Sequence, residues 1–143
     1  MQRTTVKTED LFLMLQKTDD PLNNWSELKQ NMTSPTFCEY LEELLSARGI
    51  DTAKFGVMAL IIRSFAYQIL SGTRVPSREI LLRIATAVGL SVDETQHLLR
   101  LGDRGALYPK VERDGAIISC LMRGYDLFKT DEFLRKLGLN PLL

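Results

Sequence analysis

The sequence predicts an all-α protein, and three observations carry that reading. Apolar residues recur at helical spacing from one end of the chain to the other. No stretch alternates apolar and polar residues over many positions, as a half-buried strand would. No Asn-Gly or Asp-Gly pair stands between two β-rich runs, where a hairpin turn would be expected.

Each element has a local reason. The first helix is expected from about Glu9 to Lys17, with Thr8 as N-cap and two acids in its first turn. A second is expected after Asp20-Pro21, with aspartate as cap and proline at the first helical position. Residues 1–35, with four basic and five acidic residues, read as an N-terminal helical arm. Beyond Ser34-Pro35 the signals sharpen. Phe37, Leu41, Leu44, Leu45 and Arg48 trace one helix, and Gly49 supplies the left-handed residue at its end. Asp51 caps a helix from Thr52 to about Ala59, and another runs from about Arg63 to Leu70, stopping at Ser71-Gly72. Ser77 caps a helix whose Leu81, Ile84, Ala85 and Val88 form an apolar stripe ending at Gly89. Ser91-Val92-Asp93-Glu94 is a capping box that opens a helix with Leu98, Leu99 and Leu101 on its inner side.

A repeat lies in the second half. Gly89 and Gly124 stand 124 − 89 = 35 residues apart, and other pairs match at that offset. Arg78 matches Arg113, Glu79 matches Asp114, Leu82 matches Ile117 and Val92 matches Leu127. Thr95 with Thr130, Leu99 with Leu134 and Arg100 with Arg135 continue the series, and the caps Ser91 and Asp126 correspond. Two helical hairpins of one design are expected, the second packed on the first as a C-terminal cap. The domain plan is therefore an arm over 1–35, a central domain over 36–104 and a C-terminal hairpin over 105–143 packed on it.

Composition narrows the function. The 143 residues are 45% hydrophobic and 25% charged, an average globular composition, and the formal charge is zero. That excludes a wholesale basic nucleic-acid coat and a polybasic membrane binder, but not a local basic face. The longest apolar run, Phe55 to Ile62, falls far short of the ~18–20 residues that span a bilayer. Met1-Gln2-Arg3-Thr4 opens no signal-peptide pattern, and Cys38 and Cys120 have no ligand or disulfide spacing around them. A cytoplasmic domain that meets no membrane is expected.

Catalysis finds no foothold. His97 is the only histidine, which excludes histidine pairs and histidine-based metal sites. No GxSxG, P-loop or GxGxxG occurs, and Gly102-Asp103-Arg104-Gly105 reads as a helix stop and turn. Glu42-Glu43 and Asp19-Asp20 diverge on a helix and make poor paired carboxylates. No catalytic residue, metal or cofactor is expected.

The segment from Gly49 to Gly89 is different. Its most specific parts are Ile69-Leu70-Ser71-Gly72-Thr73-Arg74-Val75-Pro76-Ser77 and Ala87-Val88-Gly89-Leu90-Ser91-Val92-Asp93-Glu94. Over about Phe37 to Leu101 the chain resembles the helix-turn-helix domain of the lambda-repressor-like (Cro/Xre-type) DNA-binding proteins. The resemblance implies a five-helix domain whose recognition helix, about 63–70, enters a major groove as part of a transcriptional regulator. Gly56 gives the small residue that a close crossing of the two helices needs. Phe55, Ala59, Ala66 and Ile69 set the interhelix angle, and Ile62, Ala66 and Ile69 fall on one face of the recognition helix. The opposite face carries Arg63, Ser64, Tyr67 and Gln68, with Phe65 near the boundary.

By the family's pattern Arg63, Ser64 and Gln68 read bases, arginine suiting guanine and glutamine suiting adenine. Tyr67, like Phe65, either packs against the N-terminal arm or meets thymine methyls or a phosphate. Thr52, the backbone and side chains around Gly72-Thr73-Arg74, and Arg78 are expected to hold phosphates. Between Lys54 and Arg83, five basic residues face Glu79 alone, a local excess of +4. Leu60 stands where the turn usually has glycine and is accommodated without strain if the turn avoids positive φ, and Ile62 offers no side-chain cap. Double-stranded DNA is the expected partner, with a homodimer, or a protein bound through the arm or the hairpin, as further partners. The alternative is a helical adaptor that keeps the fold without binding DNA.

Overall fold

The computed structural model describes residues 8–20, 22–32 and 34–143. Every regular element among them is helical. The chain divides into two compact units, Met1–Thr36 and Phe37–Leu143.

The first unit holds α1 (Thr8–Lys17) and α2 (Trp25–Gln30). No residue of α1 is buried, whereas Leu28 of α2 is. The second helix starts later than the Asp20 signal suggests. Asp20 instead closes a turn, its carboxylate accepting from the Leu22 amide at 3.1 Å and its carbonyl from that of Asn23. An Asx turn of this kind competes with helix initiation. Pro21 lies outside the described residues.

The second unit contains α3 (Phe37–Ala47), α4 (Thr52–Ala59), α5 (Arg63–Leu70), α6 (Arg78–Val88), α7 (Val92–Leu101), α8 (Glu112–Met122) and α9 (Leu127–Lys136). The caps act as their sequences suggest. Asp51 accepts from Lys54 N, Ser77 from Ile80 N and Asp126 from Lys129 N, and Ser91 and Glu94 form a complete capping box. The stripes from α3, α4, α5, α6 and α7 meet in one core around Leu41, Phe55, Ile69, Leu82, Ile84 and Leu99, all essentially inaccessible. Hydrophobic burial of this kind is the main stabilising term for the unit.

The 35-residue repeat extends to individual hydrogen bonds. Arg78 Nε donates to Gly105 O and Arg113 Nε to Asn140 O, both at 2.8 Å. Gln96 accepts from the Leu107 amide, and Asp131, its counterpart, from that of Leu142. Between the repeats the contacts are exchanged. Arg78 binds Asp114, and Arg113 binds Glu79. Likewise α9 packs on α6 while α8 packs on α7. Residue i touching j′ while i′ touches j is the pattern of a two-fold interface, here within one chain.

Candidate functional site

The α4–α5 pair owes its shape to three residues between its helices, Leu60, Ile61 and Ile62. The axis bends by 118° there, within the range of two helices joined by a short turn. Gly56 allows the close approach: a Cβ at that position would lie 3.1 Å from Ile61 O and 3.5 Å from Ala66 Cβ. The expected crossing at Gly56 is therefore present.

The turn does not avoid positive φ. Leu60 ends α4 in the left-handed region, at φ 57° and ψ 46°. A leucine there costs about 1–2 kcal/mol, and its surroundings hold it in place. The Ile61 amide donates to Gly56 O at 2.8 Å, and Arg83 reaches from α6 to donate to Ala59 O and Leu60 O at 3.0 and 2.7 Å. Arg83 thus serves as the C-terminal cap of α4, a role its sequence position does not reveal. Ile62 precedes α5 in extended conformation and offers no side-chain cap, as expected. It does not share the buried face of Ala66 and Ile69, however, for it is 73% exposed. Being outside the helix, it follows no helical spacing; Ile61 points into the core instead.

With Ala66 and Ile69 buried, the other side of α5 faces solvent. It forms a groove of about 770 Å³ with the start of α4, lined by Thr52, Ala53, Arg63, Ser64, Tyr67 and Gln68. Five of the eight residues singled out from sequence meet there, and Ala53 joins them because its small side chain leaves the N-terminus of α4 open. Phe65 turns the other way and packs partly against the core.

The remaining three lie elsewhere. Thr73 and Arg74 are exposed in the loop after α5, but their backbone amides both donate to Gln68 O and the Thr73 hydroxyl bonds that of Ser71 at 2.9 Å, so the Arg74 side chain is the donor left for a ligand. Arg78 faces away from the groove. Its guanidinium donates to Gly105 O and Ala106 O and makes a two-bonded pair with Asp114. Its position at the start of α6 suggested a phosphate ligand, yet its donors hold the second hairpin. Of the five cations counted around the site, Arg78 and Arg83 are engaged within the fold. Among the described residues, Lys54, Arg63 and Arg74 make no ion pair, and they carry the site's positive charge.

Compared with family models, curated proteins and solved structures, the chain finds no match. Among the described residues no cluster of three or more acidic, cysteine or histidine side chains is placed to hold a metal ion. No single described helix is long and apolar enough to cross a membrane.

Proposed function

We propose that this protein binds double-stranded DNA in a sequence-dependent way, through a lambda-repressor-like helix-turn-helix formed by α4 and α5, as a transcriptional regulator. One observation carries the reading: the solvent face of α5, set at 118° to α4, gathers arginine, serine, tyrosine and glutamine in one groove. Arginine offers paired donors to guanine O6 and N7, and glutamine offers a donor and an acceptor to adenine N6 and N7. Thr52 at the start of α4 and Arg74 beyond α5 flank that face and suit phosphates, which fix the register of a reading helix.

A second reading has its own support. Val57 is 75% exposed, and Leu60, Ile62 and Tyr67, all on α4, α5 or the turn between them, are exposed as well. Contiguous apolar surface marks protein-interaction sites, which favours the adaptor. Selection of bound sequences from random duplexes, followed by affinity measurement at several salt concentrations, separates the two. DNA binding requires an enriched sequence and a fall in affinity with salt. A chain that binds no duplex, or all duplexes equally, overturns the base-reading proposal.

A further inference from the structure

Two apolar surfaces of this chain stand open, and their chemistries match. The first lies on the second hairpin. On the first hairpin, the outer side of α7 is roofed by α3: Arg48 binds Glu94 at 2.8 Å, and Tyr40 stacks on His97 with ring centroids 4.4 Å apart. At the repeat offset those two positions are Lys129 and Glu132 of α9, and both are exposed. Beside them Tyr125 and Phe133 wall an open hollow of about 150 Å³, rimmed by Lys129 and by Glu132 and Lys136, which pair with each other at 3.0 Å and leave Lys129 as the cation without an acid. Lys129 Nζ lies 4.1 Å from the centre of the Tyr125 ring, so the charge already sits at the hollow.

The second surface is α1. None of its residues is buried, and its Glu9, Phe12 and Leu13 fall on one side at i, i+3, i+4 spacing. Phe12 is 61% exposed. An acidic, aromatic helix face therefore exists in a chain whose α8–α9 hairpin offers an aromatic hollow with Lys129 at its rim. The repeat sets the sign of the match. Where Glu94 receives an arginine from its covering helix, Lys129 calls for an acid.

We propose that α1 of a second copy covers the α8–α9 face, in the place that α3 takes on the first hairpin. Phe12 enters the hollow between Tyr125 and Phe133, and Glu9 meets Lys129. Two copies exchanging their arms in this way form a closed dimer. This surface is separate from the α4–α5 groove, and the inference stands whether or not DNA binds there.

The test is the mass of the full-length protein by sedimentation equilibrium over a range of concentrations. The parent chain should self-associate to a dimer. Phe12→Asp, on an exposed position of α1, should weaken the dimer by about tenfold or more. Glu9→Lys and Lys129→Glu should each weaken it by ~2–5-fold, and the double variant should recover the parent's association. Circular dichroism should stay unchanged in all of them. A parent that remains monomeric at every concentration overturns the proposal, even if the variants alter its stability. So does a dimer that none of these substitutions weakens, or a double variant no better than the singles.

Discussion

Arg78 grips Asp114 with both terminal nitrogens, at 3.2 and 2.9 Å, and its repeat counterpart Arg113 grips Glu79 in the same manner at 2.8 and 2.7 Å. The two bridges differ in burial. The Asp114 side chain keeps 8% of its accessible surface, the Glu79 side chain 54%.

That difference sets the first prediction. Arg78→Ala leaves a buried carboxylate with only the Tyr108 amide as donor, and breaking a buried pair from one side costs about 3 kcal/mol or more. Glu79→Ala removes an exposed partner and should cost no more than about 1 kcal/mol. Urea unfolding of the two variants measures both. Equal losses would mean that burial does not govern these bridges.

The α4–α5 turn supplies the second. Glycine takes the left-handed conformation of residue 60 without steric cost, so Leu60→Gly should raise stability by up to about 1 kcal/mol after its loss of backbone entropy. Arg83→Ala should lower it, because it frees the Ala59 and Leu60 carbonyls. Thermal unfolding should separate the two in opposite directions. A Leu60→Gly variant that melts below the parent contradicts the strain assigned to this turn.

A third prediction concerns nucleic acid. If α5 reads bases, Arg63→Ala should cost ~1–3 kcal/mol on a selected site and relax preference at one base pair. Arg74→Ala should weaken all duplexes alike and lower the salt slope by about one. Arg78→Ala should change DNA affinity only as far as it unfolds the protein. Competition binding between selected and scrambled duplexes reads all three, and a loss of preference in Arg74→Ala but not in Arg63→Ala would reverse the assignment.

Acid sensitivity gives the fourth. Burial pushes the Asp131 carboxyl upward, but its bond from Arg135 and the amides of Leu143 and Leu142 outweigh that and hold it below the usual carboxylate range. Its pKa is lower folded than unfolded, so it contributes stability above about pH 4 that is lost as pH falls through the folded value. Glu94, held down against its own burial by the Ser91 amide and Arg48, acts in the same direction. Unfolding free energy should fall on acidification, and Asp131→Asn should flatten part of that fall. An unchanged acid slope in Asp131→Asn would count against this role for the Asp131 carboxylate.

Most helix boundaries were legible because they are written in short-range chemistry. Asp51, Ser77, Ser91 and Asp126 each bond an amide three residues on, and nothing distant is needed to find them. The repeat was equally plain from spaced pairs. What the sequence hid depends on residues brought together from afar. Arg83 caps α4 from 23 and 24 residues away, so Leu60 looked unsupported. Arg78 resembled a phosphate ligand because Asp114, 36 positions on, could not be assigned to it from spacing alone. Five residues of the groove were found together because α5 is a regular helix whose buried Ala66 and Ile69 dictate its other face. Ile62 stands one step before the first residue of α5, where helical spacing no longer decides which way a side chain points.

The exchanged bridges also bear on how the chain is made. Synthesis runs from the N-terminus, so α6 and α7 are made before Arg113 and Asp114. Arg78 and Glu79 wait in water at little cost, but the side of α6 that receives α9 stays bare until the last helix is complete. During that interval a neighbouring nascent chain offers the same α8–α9 hairpin as the chain itself will. Exchange of that hairpin between chains would have its hinge in the loop of residues 102–111.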